Sequence, residues 1–385
     1  MSGTLVLRAG LAGLALAALA TGLATPAEAA KVSHVKKAPF GTTVKGEKVQ
    51  IYTLTNKNGL EARIATYGGT IVSLKTPDKA GKLANIVLGF DRIEPYQKGV
   101  PYFGALIGRY GNRLANGTIV IDGQTYKLPQ NDGTNTLHGG PKGFDKVVWQ
   151  AKPYEDKNGP GLKLTYVSAD GEMGFPGALT VHVTYQLRND NALSIDYEAT
   201  TDKPTVANLT NHSYFNLTGD TDTPILDHLM TINADKITPV DKRLIPTGDL
   251  KDVTGTPFDF RKATAIGDRI GADDEQLKLA GGYDHNWVLN QPKPGEEILA
   301  AKVVEPKSGR TLEVRTVEPG VQFYAGNFLD GKPAGVGTVF KHRTGFCLET
   351  QHYPDSPNQP NFPSTELRPG QVYKTHTVFV FGVEK

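Results

Sequence analysis

Two groups able to exchange protons stand in unusual surroundings. In the stretch NLTNHSYFNLTG, Asn208–Gly219, His212 sits among asparagines, threonines and aromatics, with no Lys, Arg, Asp or Glu in the segment. Neutral donors and acceptors of this kind can fix an imidazole's tautomer without adding a charge. Glu349 follows the apolar run Phe346, Cys347, Leu348 and precedes a loop rich in Pro and Asn. A glutamate leaving an apolar strand at such a loop is placed to act as a general base. Unperturbed values of about 4.3 for Glu and about 6.5 for His would give an ionised acceptor beside a proton donor near neutral pH. Each residue also has a purely structural reading, as a satisfied core histidine and as a glutamate at a strand end.

Other loops add polar groups. GALIGRYGNRLANG, Gly104–Gly117, carries Arg109 and Arg113 four positions apart. A phosphate cradle is one reading, but the Walker lysine and a βαβ context are both missing. Asn112 and Arg113 can instead donate to hydroxyls or to a developing anion, or the loop can pack on its own arginine stems. His138 lies in NTLHGGPKGFDKVVW, where Gly139, Gly140 and Pro141 impose a bend. In GGYDHNWVLN, Asp284 precedes Trp287, an acid and a ring that suit sugar hydroxyls and C–H faces; a turn aspartate with a core tryptophan is the alternative. Gln322 in GVQFYAGN holds a strand-end position. The chain has no G-x-S-x-G elbow, no H-E-x-x-H and no Rossmann fingerprint. A zinc site from scattered His and Asp stays open, although no pair has helical ligand spacing. Asp284 and Glu349 could also form the carboxylate pair of a glycosidase.

These residues need a rigid scaffold, and the rest of the chain reads as one. With 43 glycines and 25 prolines in 385 residues, turns between strands are favoured over long helices. LTVHVTYQLRNDNALSIDYEAT, Leu179–Thr200, alternates apolar and polar residues on both sides of an Asn-Asp-Asn turn, which predicts a hairpin. TIVIDGQTYKL, Thr118–Leu128, predicts another around Asp122-Gly123. Short helices or turns are expected in FRKATAIGDRI and DDEQLKLA. The fold class is all-β: a large antiparallel β-sandwich with two stacked sheets. Residues 1–29, with Arg8 before the apolar run Ala9–Ala24 and the small residues Ala27 and Ala29 around Glu28, read as a secretory signal peptide. Residues 30–40 read as a short lead-in, and 41–385 as a single β domain. The expected location is therefore the periplasm or the extracellular medium, with no stable membrane insertion after cleavage. Cys347 is the only cysteine, so there is no internal disulfide, and cysteine-based metal or redox centres are excluded. A net charge of +2 gives no electrostatic case for nucleic acid.

The motifs NTLHGG, NLTNHSYFNLTG, YDHNWVL, GVQFYAGNFLDG and LETQHYPDSPNQPNFPS stand in the order seen in the aldose 1-epimerase (galactose mutarotase) family. From about residue 41 to the C-terminus the chain resembles that family. Gly111 stands where the family often has Ala, and Trp287 where it often has Phe; the latter bears on the pocket. The resemblance implies the galactose mutarotase-like supersandwich and interconversion of the α and β anomers of a free aldose such as glucose or galactose. It implies Glu349 as the base for the C1 hydroxyl, His212 as the acid for the ring oxygen, and His138 as a second histidine beside that oxygen. It implies that Asn112, Arg113, Asp284 and Gln322 hold the sugar hydroxyls. The acid and the base are expected on opposite sides of the sugar. Such a reaction needs no metal and no cofactor. The partner is a small aldose; nothing demands more than a monomer, though a dimer stays open. A sugar-binding protein without turnover and a hexose-6-phosphate epimerase are the rival readings. The first would need no acid–base pair, and the second would need a basic cluster.

Overall fold

Alternating burial organises the chain into three principal antiparallel sheets. The computed structural model describes residues 1–5, 34–331 and 339–384. The signal peptide expected over 1–29 falls almost wholly outside the described residues. From His34 onward the described residues belong to one compact unit. None of their helices is long and apolar enough to cross a membrane.

The largest sheet has nine strands. Its order is Gln150–Asp156, Gly159–Ser168, Leu179–Leu187, Ala192–Thr201, Tyr373–Val383, Arg310–Thr316, Ile298–Val304, Leu229–Ile232 and Thr264–Ala265. A five-stranded sheet runs from His34–Thr42 through Lys48–Thr55, Glu61–Ala65 and Ile71–Pro77 to Leu83–Asn85. A second five-stranded sheet orders Lys251–Asp252, Ala234–Thr238, Asp284–Leu289, Gly320–Tyr324 and Cys347–Gln351. The sequence suggested two sheets. A twisted open sheet seldom exceeds ~10 strands before it splits, and this chain has more than that to place. All three sheets meet in one core, where Leu164, Val183 and Ile195 join Leu54 and Ile64 and also Trp287, Phe323 and Leu348.

Both expected hairpins form, with Leu179 opposite Thr201 and Ile121 opposite Gln124. Both expected helices are present, Ile266–Arg269 and Glu275–Ala280. Asp274 caps the second by accepting from the backbone N–H groups of Gln276 and Leu277, and Gly281 ends it at φ 67°. The lead-in expected over 30–40 is corrected: His34–Thr42 is an edge strand paired with Lys48–Thr55. Only Phe40 in it is buried, and the register shifts between Pro39 and Gly41. Lysines and a proline are common protections for an exposed edge, and they hide its strand pattern.

Register in the second five-stranded sheet places the chemistry. Asn286 lies opposite Gln322, which lies opposite Glu349. One row along, Asp284 lies opposite Tyr324, which lies opposite Cys347. Cross-strand partners share a face and alternate residues return to it. Asp284, Asn286, Gln322, Tyr324, Cys347 and Glu349 therefore form one polar, buried face, while Trp287, Phe323 and Leu348 point into the apolar core.

Candidate active site

Loops cover this polar face and are held by very short ladders. Leu106–Ile107 pairs with Thr210–Asn211, and Arg113–Leu114 pairs with Thr136–Leu137. The chain beyond each ladder delivers a histidine. His212 donates its backbone N–H to Ala105 O at 2.9 Å and its carbonyl accepts from Gly104 at 2.9 Å. His138 donates its backbone N–H to Asn112 O at 2.9 Å, and its Nδ1 accepts the Asn112 backbone N–H at 3.1 Å. Asn112 at φ 60° and His138 at φ 50° are both left-handed, a conformation rarely held outside glycine unless the surroundings demand it. Gly139, at φ 83°, must be glycine, because a Cβ there would lie 2.0 Å from Gly108 O.

The far end of the sheet joins the same loop. Asp355 donates its backbone N–H to Arg113 O at 2.9 Å, and its Oδ1 accepts from the Ala115 N–H at 2.9 Å, across 240 positions of sequence.

The result is a cavity of about 120 Å³ walled by Tyr102, Asn112, Arg113, His138, His212, Tyr214, Asp284, Tyr324, Phe328 and Glu349, with Pro101 and Leu137. That is well above the roughly 10–15 Å³ a single water requires, and leaves room for a small polar ligand. His212 Nε2 lies 3.6 Å from Glu349 Oε1. The His138 ring centroid is 5.1 Å from that of His212. The imidazole of His212 stacks with Tyr102 and with Tyr214, at interplanar angles of 21° and 18°. Its Nδ1 faces Cys347 Sγ at 3.3 Å. His212 and Glu349, expected as acid and base on opposite sides of the sugar, are thus neighbours, a correction to the sequence reading. Two adjacent oxygens of one carbon centre are what such a pair can serve.

Arg113 and Asp284 form the other end. Arg113 Nε donates to Asp132 Oδ2 at 2.7 Å, and its Nη1 lies 3.9 Å from Asp284 Oδ2. Gln322 Nε2 donates to Asp284 Oδ1 at 2.7 Å. Asn112, Arg113, His138, His212, Asp284 and Glu349 all line the cavity. Gln322 stands one layer back and supports Asp284. The sequence reading missed the aromatic walls Tyr102, Tyr214, Tyr324 and Phe328. The signal for Tyr214 was present, since it lies two residues beyond His212. Trp287 does not reach the pocket. Strand alternation sends it to the opposite face, where it donates its indole N–H to Phe258 O at 3.0 Å.

Burial dominates the electrostatics. It pushes the Glu349 carboxyl well above its usual value, and the Asp284 charge adds to this while Arg113 opposes it. It also raises the Asp284 carboxyl, against the pull of Arg113 and Gln322. His212 is lowered by burial to about 3, and His138 falls well below its usual value by burial and the nearby positive charges. Both imidazoles are therefore neutral near pH 7. The sequence expectation of a histidine titrating near neutrality is corrected by this desolvation. A neutral imidazole still acts as an electrophile through its N–H.

Three rival chemistries can now be judged. His138, His212 and Glu349 bring ligand-type atoms within 4.8 Å of one another, enough to raise the metal reading again. Yet His138 Nδ1 accepts a backbone N–H, so its neutral ring carries the proton on Nε2 and offers the cavity a donor, not a lone pair. A phosphate cradle from Arg109 and Arg113 also fails. Arg109 is 2% exposed and donates to Pro176 O, Gly177 O and Ser168 Oγ at 2.9, 2.8 and 2.7 Å, which leaves Arg113 as the only cation among the described cavity-lining residues. Asp284 has both oxygens facing Gln322 or Arg113, a poor arrangement for a glycosidase acid.

Two predictions arise here. Arg109→Met should destabilise the fold by about 3–5 kcal/mol in urea unfolding, because it orphans a set of buried acceptors, while turnover per folded molecule stays within about threefold. A stability loss under about 1 kcal/mol would contradict this role. Second, stability should fall on acidification. Burial holds His138, His212, His228 and His285 below 6.5, with about 3 for His212 and His285 and about 4 for His228. Below that value the unfolded chain binds protons that the native chain refuses. Each histidine then costs up to about 1.4 kcal/mol per pH unit. The raised carboxyls of Glu349 and Asp284 work with opposite sign and offset part of this. His352 also opposes it: burial lowers its value, but the Glu318 charge and hydrogen bond outweigh burial and raise it. Urea midpoints from pH 7 to pH 5 test the balance, and a flat profile would refute it.

A β-sandwich that carries an open pocket around a paired imidazole and carboxylate is a frame suited to acid–base chemistry. The aldose 1-epimerase family model matches residues 50–380. The chain is 44% identical to human galactose mutarotase over 357 residues, covering 91% of this chain and 100% of the relative. It is 40% identical to the aldose 1-epimerase of Escherichia coli K12 over 341 residues, covering 88% and 97%. The solved galactose 1-epimerase from Lactobacillus acidophilus NCFM superposes with a TM-score of 0.81 at 30% identity, covering 92% of this chain and all of that one. The chain belongs to the aldose 1-epimerase family, whose members are isomerases.

Proposed function

We propose that this enzyme interconverts the α and β anomers of free aldoses such as glucose and galactose. The observation that carries the reading is the 3.6 Å approach of His212 Nε2 to Glu349 Oε1 inside the cavity. Ionised Glu349 takes the proton of the C1 hydroxyl. The C1–ring-oxygen bond breaks as C1=O forms, and the ring oxygen takes the Nε2 proton of His212. The short separation lets the proton now on Glu349 pass back to His212, so no imidazolate persists. Rotation about C1–C2 and the reverse steps close the ring on the other face. His138 offers a second N–H near the same oxygen. Asn112, Arg113 and Asp284 hold the hydroxyls, with Gln322 fixing Asp284. Tyr102, Tyr214 and Tyr324 shield the site, and Phe328, 60% exposed, flanks its mouth.

We also propose that the protein is exported, on the strength of the N-terminal Arg, apolar run and Ala-Glu-Ala site. One chain supplies every residue of the site, so a monomer suffices. Polarimetry of freshly dissolved α-D-glucose and α-D-galactose tests the activity. Faster approach to the same final rotation is expected, and no acceleration with either sugar would refute it. Fractionation with N-terminal sequencing of the mature protein tests the export.

A further inference from the structure

Cys347 belongs to none of the roles assigned above, yet it is fully buried and touches the acid. Register places it on the same strand as Glu349, two residues away and on the same face. Its Sγ lies 3.3 Å from His212 Nδ1, and His212 Nε2 lies 3.6 Å from Glu349 Oε1. The imidazole is thus spanned by two side chains of a single strand. Its ring lies nearly parallel to those of both Tyr102 and Tyr214, which restrict its plane. The other histidine of the site is treated in the same way, because a backbone N–H occupies His138 Nδ1.

We propose that Cys347 is a positioning residue whose thiol donates to His212 Nδ1 and so holds the imidazole in the tautomer with its proton on Nε2, aimed at the ring oxygen. A neutral imidazole has one donor and one acceptor nitrogen, so a donor at Nδ1 decides what Nε2 presents. Burial and the neighbouring carboxylates keep the thiol protonated, which makes it the donor of the pair. The wrong tautomer would turn a lone pair toward the substrate and leave no proton to deliver. This inference rests on the reading of His212 as the acid.

The test combines kinetics with ¹⁵N NMR of the histidine ring nitrogens in the intact protein. In the unmodified protein His212 should carry its proton on Nε2. Cys347→Ala should populate the Nδ1–H form and lower kcat about tenfold, with KM changed less than twofold. Cys347→Ser, which restores an O–H donor, should return both readouts to within about threefold of the original. A proton on Nδ1 in the unmodified protein overturns the proposal. So does an unchanged tautomer, or an unchanged kcat, in folded Cys347→Ala. Should the alanine variant fail to fold, the tautomer of the unmodified protein still decides. The spectrum needs no turnover, so loss of the mutarotase reading in polarimetry is distinguishable from loss of this one.

Discussion

Glu349→Gln is expected to slow mutarotation by about 10²–10⁴-fold in kcat, with KM little changed. Gln keeps the shape and one oxygen but cannot take the C1 proton. The protein should also become more stable near neutral pH. Burial makes the folded carboxyl titrate well above the ordinary glutamate value of about 4.5. Between that value and the raised one the native state binds the extra proton, so stability declines as pH rises through this window. Above it, the full cost of a buried carboxylate is present, including Oε2, which has no hydrogen-bond partner among the described residues. Gln does not titrate and escapes this cost, a gain of roughly 1–3 kcal/mol that should vanish below about pH 4.5. Polarimetry and urea unfolding at pH 4 and pH 7.5 read both effects. Near-normal turnover would remove Glu349 from the mechanism. The same raised titration predicts that wild-type kcat/KM falls on the acid side at a pH above 4.5.

His212→Asn should cost a comparable 10²–10⁴-fold. An asparagine side chain is shorter than an imidazole and its amide is a far weaker proton donor. It would also lose both ring contacts with Tyr102 and Tyr214 and leave Cys347 without its acceptor. The loss should fall on kcat, because Asn112, Arg113 and Asp284, proposed to hold the hydroxyls, reach the cavity from other segments. Sugar binding followed by intrinsic tyrosine fluorescence should survive within a few-fold. If KM rose while kcat held, His212 would be a binding group and the acid would have to be sought at His138.

How much of this was legible in the sequence follows from which forces act locally. Strand alternation and turn residues made both hairpins readable, and motif order pointed to the family and to residues lining the pocket. The sheet that carries the site was harder, because Asp284–Leu289, Gly320–Tyr324 and Cys347–Gln351 are buried on both faces and lose the alternation that marks a half-exposed strand. The parity of Asp284 and Trp287 was readable and already separates them onto opposite faces. The protonation of His212 was not readable, since its burial depends on Tyr102 and Cys347, which come from segments far from it in the chain. Nor was the division of labour between Arg109 and Arg113. Four residues apart in one glycine-rich loop, one is spent on carbonyls and the other reaches the site.

The hydrogen bond from Ala115 to Asp355 has a kinetic meaning. It joins parts of the chain 240 positions apart, and the same junction sets Arg113 against the sheet that bears Glu349. Closing so long a loop is slow relative to forming local hairpins, so the pocket is expected to be completed late in folding. A ribosome that has made the residues up to Phe346 has produced Asn112, Arg113, Asp284 and both histidines, but not Glu349, the proposed base. On the proposed mechanism, catalytic competence waits for the strand Cys347–Gln351, which brings Glu349 beside His212.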